Sequence, residues 1–380
     1  MGLDSAALPL AIFLGVIVLA GLGTVPVWLP YVRDWYRSRP LSAEAQAIER
    51  GLRLGTGLAA ADALVAGDHR PFRDLVLGAG STRLRDHWLT TLAPEASIDT
   101  LCAWVDEAPG QVEPLLARAL LAEHLGWQAR GREGAESVSR EGWELLHTWM
   151  EAAEVDLAAA RAMNPEDPLA WCLSLRILLP INTEELRDEI DLRFEEALAR
   201  DALNLDLHAA WLQFNAMKWG GSHEEMFEVA NAAADAAPSG HELKLLPFRA
   251  WAERWMAERC WSAAAEKGAQ AAWDVARAVL QEPSALTEMQ RRWDDWYANR
   301  DDMGGELPVD TTPRFVDWAA FCFELVDDPE RGKQALRLMG PRFEAWPWEW
   351  TFNNVVVARD HVRRWAGLEP LLEEVSGGRR

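Results

Sequence analysis

The sequence predicts an all-α protein, in which an N-terminal transmembrane helix precedes a tetratricopeptide-like helical-repeat domain of solenoid type. Three observations predict it. Residues 5–32 carry no charge. From residue 41 onward alanine and leucine recur at helical spacing, and no alternating strand run interrupts them. A tail of small and apolar residues, spaced A-x3-F-x2-A-x4-P, returns through the middle of the chain.

The first element is the anchor. Leu8 to Leu29, LPLAIFLGVIVLAGLGTVPVWL, is an apolar run of 22 residues. A helix of that length spans ~33 Å, enough for the hydrocarbon core of a bilayer. Trp28, Tyr31, Trp35 and Tyr36 stand where an interfacial aromatic belt belongs. Pro26 and Pro30 end the regular helix, because proline interrupts the hydrogen-bond ladder. Arg33, Arg37 and Arg39 follow the run and only Asp4 precedes it, so basic flanks place the rest of the protein in the cytoplasm, behind a single pass. A cleaved signal peptide would want a basic start, a shorter apolar run and a better small-residue site than Val18-Leu19-Ala20.

The soluble part is acidic. The whole chain carries −22, and its first 40 residues hold two aspartates and three arginines, so the remainder carries −23. Such a surface repels nucleic-acid phosphates and anionic lipid and suits solubility or a basic protein partner. Cys102, Cys172, Cys260 and Cys322 lie far apart, without a C-x-x-C pair, and read as buried free thiols of a reducing compartment.

Helix starts have explicit chemistry. Asp167-Pro168, Thr312-Pro313 and Asp328-Pro329 each set a capping side chain before a proline that lacks the N–H a first helical residue would leave unpaired. Asn182 with Glu185, and Ser222 with Glu225, read as capping boxes. Helix ends fall near Gly67, Gly126, Pro180, Gly220, Pro238 and Pro283. Val355-Val356-Val357 precedes a helix-like segment and reads as helix. The organisation predicted is an anchor with its basic flank over residues 1–40 and a helical domain over 41–298, its repeats at about 140–283. A linker over 299–312 then leads to a C-terminal helical segment over 313–380.

The repeat tails are Ala153, Leu157, Ala160, Pro165; then Ile190, Phe194, Ala197, Ala202; then Met226, Ala230, Ala233, Pro238; then Ala271, Val275, Ala278, Pro283. Their last positions step by 37, 36 and 45 residues, near the ~34 of tetratricopeptide repeats. Ala-Trp pairs at 170–171, 210–211 and 250–251 recur every forty residues. Trp171, Leu175, Leu178 and Leu207, Trp211, Phe214 each line one helical face.

Residues 131–256 also carry a family resemblance. Met163-Asn164-Pro165-Glu166-Asp167-Pro168, Phe194-Glu195-Glu196-Ala197-Leu198-Ala199-Arg200-Asp201, and Lys218-Trp219-Gly220-Gly221-Ser222 with Met226 resemble the uncharacterised bacterial domain-of-unknown-function family 4034, itself similar to tetratricopeptide proteins. The Lys-Trp-Gly-Gly-Ser turn is its most specific element. Where that family has a proline after the aspartate, this chain has Ala202. The resemblance implies an α-helical repeat and no activity, substrate or catalytic residue.

Two places are candidates for ligand contact. Lys218, Trp219, Gly220, Gly221 and Ser222 precede a helix, where exposed backbone N–H groups and a lysine hold anions; the same residues make an ordinary tight turn with Ser222 as cap, and Glu224 and Glu225 oppose an anion there. Trp346, Trp348 and Trp350, held extended by Pro347, make either a packed C-terminal cap or an aromatic binding edge. Trp251, Trp255 and Trp261 read as core by their helical spacing, and Trp293 and Trp296 also lie close together. The eight histidines do not cluster, and Asp301, Asp302, Glu306 and Asp310 lack calcium-loop spacing, so no metal is expected. No phosphate-loop or dinucleotide pattern occurs, so no cofactor is expected either. No catalytic residue is assigned.

The function expected is protein–protein interaction by a membrane-anchored helical-repeat module. The rival is an enzyme on a ring of helix pairs, using tryptophan platforms and carboxylates on carbohydrate or lipid-linked substrate. A deep pocket with two facing carboxylates would favour the rival.

Overall fold

The computed structural model describes residues 43–131, 134–303, 315–340, 346–351 and 355–369. The anchor and its flank lie outside these residues. Among the described helices none is long and apolar enough to cross a membrane. The described residues are mainly helical, and no strand occurs among them.

Helices α1 (Ala43–Leu54), α2 (Leu58–Val65), α3 (Arg70–Leu77), α4 (Thr82–Leu92) and α5 (Ile98–Glu107) open the domain. The long pair α6 (Glu113–Arg130) and α7 (Arg140–Met163) follows. Then come α8 (Pro168–Arg176), α9 (Arg187–Arg200), α10 (Leu205–Phe214), α11 (His223–Ala236), α12 (Leu246–Trp261), α13 (Ala269–Gln281) and α14 (Pro283–Asn299). The chain closes on α15 (Val316–Val326), α16 (Pro329–Met339) and α17 (Val355–Trp365), the last starting at the valine triplet.

Caps set many of these starts. Asp167 accepts from the Leu169 N–H at 3.0 Å, Asp328 from Arg331 at 3.2 Å, and Ser222 from Glu225 at 3.1 Å. Ser81, Ser97, Ser139 and Asn204 cap α4, α5, α7 and α10 in the same way, and the sequence reading passed over them. Asn182 does not cap. Its Nδ2 donates to the Trp219 carbonyl at 2.8 Å, tying the turn after α8 to the one before α11. Thr312-Pro313 lies outside the described residues.

Gly126 does not end a helix. It sits inside α6, where an added Cβ would meet Met150 Cε at 3.0 Å and Leu146 Cδ1 and the Trp149 Cβ at 3.2 Å each. It is the close-approach point between α6 and α7. The helix ends four residues later, before Gly131 at φ +81.

From α6 to α13 each helix packs on the next, and α4, α6, α8, α10 and α12 also touch one after another. Arg83 at the start of α4 reaches Glu242 before α12 at 2.5 Å, and α1 packs against α17. Three apolar clusters fill the interior: one built from α1–α8, one from α8–α10, one from α10–α17. In the middle cluster lie Trp171, Leu175, Leu178, Leu207, Trp211 and Phe214, the two faces read from the sequence. The last cluster runs from Ala209 to Ala366, so α15–α17 share a core with α11–α14. The stretch over 299–312 therefore does not separate two cores. Asn299 still belongs to α14, and residues 304–314 lie outside the described part.

Three of the four repeat tails bury the alanine at their third position. Ala153, Leu157 and Ala160 are each 0% exposed; Ala197 is 1% and Ala233 7% exposed. The fourth is rotated. Ala278 is exposed and Val275 is 40% exposed, while Ala272, Ala276 and Leu280 are buried. Of the four thiols, Cys172 and Cys322 are buried as expected, whereas Cys102 is half-buried and Cys260 exposed; all are free.

Candidate functional site

Two of the three tryptophan groups divide between core and surface, and the pair Trp293 and Trp296 is wholly buried. Trp255, Trp293 and Trp296 are buried, Trp251 is half-buried, and Trp261 stands 53% exposed at the end of α12. Trp348 is fully buried against Phe321, ring centroids 5.3 Å apart. Trp350 is half-buried between Trp318 at 5.5 Å and Trp346 at 5.3 Å, and Trp346 is 49% exposed. Residues 348–350 form a 3-10 turn, so this segment is not extended past Pro347. Once the chain folds on itself there, Trp348 enters the core and Trp346 is left outside.

In the Lys-Trp-Gly-Gly-Ser turn three backbone donors are already engaged. The Trp219 and Gly221 N–H groups both donate to the Ala216 carbonyl, at 2.9 and 3.2 Å, and Gly220 donates to Met217 at 3.2 Å. An anion would have to displace these bonds. Gly220 has φ +97, a left-handed value that L side chains adopt at a cost. A Cβ on Gly221 would lie 2.2 Å from the Asn215 carbonyl oxygen, so this residue must be glycine. The Trp219 ring is half-buried and meets Trp127 edge-on at 5.9 Å.

The lysine serves the interior. Lys218 Nζ lies 3.0 Å from Glu253 Oε1 and 2.8 Å from Oε2, and Gln213 Nε2 donates to the same carboxylate at 2.7 Å. Glu253 is only 4% exposed, so its charge is held by these two donors. Neither partner stands out in the sequence alone. The forty-residue Ala-Trp interval carried the signal: Gln213 and Glu253 follow Ala210 and Ala250 by three residues each, and so occupy equivalent places on α10 and α12.

The fold joins the two candidates. Lys218 Nζ stands 5.8 Å from the centre of the Trp350 ring, 132 positions away in sequence. Beside it is a cavity of about 10 Å³ lined by Met217, Lys218, His223, Met226, Glu253, Met256 and Trp261, with Ala216 and Ala257. Met217 is 41% exposed at its rim. Exposed Met217 and Trp261 thus line this cavity with Lys218, and Trp350, beside Lys218, meets the exposed Trp346.

A second buried charge cluster gathers the N-terminal ends of α8 and α10. Arg85 makes paired 2.8 Å bonds to Asp167 and approaches Asp86 at 2.7 Å. Burial pushes the Asp86 carboxyl up to about 7, against the pull of Arg85 and helped by Asp167 and Asp206. Arg176 pairs with Glu123 at 2.8 Å. These pairings fix helix ends to one another. Among the described residues no group of three or more His, Cys, Asp or Glu is placed to hold a metal ion. Asp301 follows α14, while Glu306 and Asp310 lie outside the described residues. No protein-family model, curated protein or solved structure matches the chain, so the family resemblance rests on the residues that carry it.

Proposed function

We propose that this chain is a membrane-tethered interaction module whose helical domain faces the cytoplasm and receives a basic protein partner. The observation that carries the reading is a run of contacts: Met217 and Trp261, 41 and 53% exposed, line the cavity with Lys218, whose Nζ faces Trp350, and Trp350 meets Trp346, 49% exposed. Large apolar side chains gathered in one place on a charged protein mark contact surfaces, and tryptophan and methionine are enriched there. The chain's charge of −22 supplies long-range attraction for a basic partner and repulsion for nucleic acid. Helices that pack in sequence, with alternate ones touching, fit the helical-repeat class that the family resemblance implies.

The enzyme reading has less support. Glycoside chemistry needs two carboxylates across the bond, and the cavity described above holds one, Glu253, already bound by Lys218 and Gln213. Its volume of about 10 Å³ is far below the ~300–1,000 Å³ of small-molecule sites.

The test uses the full chain as bait with a photo-crosslinker at position 217, exposed beside Trp261. Basic proteins should be captured at low salt and released as salt rises. A Trp261→Ser/Trp346→Ser variant with an unchanged unfolding midpoint should lose them. Equal capture by both chains, or capture indifferent to salt, would overturn the proposal.

A further inference from the structure

We propose that Met217, His223, Met226 and Met256 form a binding site for a soft monovalent cation, copper(I). Three of the nine methionines in the chain line one small cavity, and they arrive from three different elements. Met217 comes from the 3-10 turn before α11, Met226 from α11 and Met256 from α12. His223 opens α11 three residues before Met226, so both lie on one helix face. The donor set is therefore three thioethers and one imidazole.

That chemistry is selective. Neutral, polarisable thioethers favour copper(I), whereas calcium, magnesium and manganese want oxygen ligands. The one carboxylate in the cavity, Glu253, is bound by Lys218 and Gln213. Lys218 and Glu253 together add no net charge, and the positive charge of Arg254 near His223 is countered by Glu258. A cavity of about 10 Å³ accepts a single ion or a water, not an organic molecule.

His223 supplies the second, independent observation. Its Nδ1 is buried and has no hydrogen-bond partner, which is unusual for a buried polar atom. An imidazole nitrogen with no other partner is free to ligate a metal. Met226 is 1% exposed, while Met217 and Trp261 at 41 and 53% leave the cavity mouth open to an entering ion.

Methionines that only filled space would give the same packing, so the test removes sulfur and keeps volume. The exposed Cys260 precedes Trp261 and would bind copper(I) by itself, so Cys260→Ser is the background. Copper(I) is titrated anaerobically into the full chain against a colorimetric chelator. One equivalent should bind. Met217→Leu/Met226→Leu/Met256→Leu, and separately His223→Ala, should each weaken binding ~10-fold or more. Zinc should not compete. Selenomethionine-labelled protein loaded with copper(I) should show copper–selenium scattering in X-ray absorption, a readout that does not depend on how the variants fold. Unchanged affinity in the triple variant, loss of all binding with Cys260→Ser alone, or a copper shell without selenium would overturn the site.

Discussion

Helices α11 and α13 carry the same written pattern and bury different faces. In α11, Met226, Ala230 and Ala233 are 1, 0 and 7% exposed, as the tail spacing predicts. In α13 the matching Ala271 is half-buried, Val275 is 40% exposed and Ala278 is exposed; the core receives Ala272, Ala276 and Leu280 instead. One residue is a turn of ~100° about the helix axis. The difference lies in what fixes each rotation. α11 enters from a turn in which Ser222 caps the helix and Gly221 lies against the Asn215 carbonyl. α13 follows Gly268 and has no side-chain cap. Its rotation is set by bulk: Leu280 is fully buried and Trp273 meets Trp255 edge-on at 5.4 Å. Alanine fits either face, so a pattern made of alanines is silent on rotation unless a large residue or a cap decides it.

If the turn orients α11, damage there should cost most. Gly221→Ala places a Cβ 2.2 Å from the Asn215 carbonyl oxygen, and neither backbone can give way cheaply. The loss should reach or exceed the upper end of the ~1–3 kcal/mol typical of overpacking. Urea unfolding of the full chain measures it. A midpoint equal to that of the unmodified protein would mean that the turn does not orient the helix.

Next come the buried alanines of both helices. Ala230→Leu in α11 and Ala276→Leu in α13 each push three extra carbons into a site 0% exposed, and each should cost ~1–3 kcal/mol. Equal penalties would establish that α13 buries its face as firmly as α11 although its start is uncapped. A much smaller penalty at 276 would mean that α13 repacks.

Ser222→Ala should cost less, ~0.5–2 kcal/mol, since it removes one bond to the Glu225 N–H and leaves the glycine turn in place. A loss as large as that of Gly221→Ala would shift the weight of the comparison from glycine sterics to the cap.

These contrasts also mark what the sequence makes legible. The helical class, the valine triplet as helix, and the caps at Asp167, Ser222 and Asp328 follow from local chemistry, which needs no tertiary contact to be read. Gly126 misleads because glycine serves both to end helices and to let them approach, and only the position of α7 separates the two uses. Asn182 is drawn from its expected cap to the Trp219 carbonyl, a partner 37 residues away. The candidate site was legible in part. Lys218 and Trp350 stand out singly, but their meeting, and the Met217–His223–Met226–Met256 cavity, arise from helix packing over long separations.

The smallest effect is the most discriminating. Ala278→Leu changes the residue that the tail spacing places at a helix crossing and that the structure places in solvent. Leucine is nearly as good a helix former as alanine, so the helix itself loses little. An exposed substitution away from caps and core falls within about ±0.5 kcal/mol. Ala276→Leu, two residues earlier, makes the same chemical change on the buried face. The pair therefore measures rotation alone, because composition, helix and added volume are matched. Urea unfolding of both variants should give a midpoint near the unmodified value for 278 and a clearly lower one for 276. Equal slopes are required before the midpoints are compared, since a changed slope reports a changed unfolded state. Should the order invert, α13 would be turned back into register with α7, α9 and α11. The four tails would then form one continuous repeat.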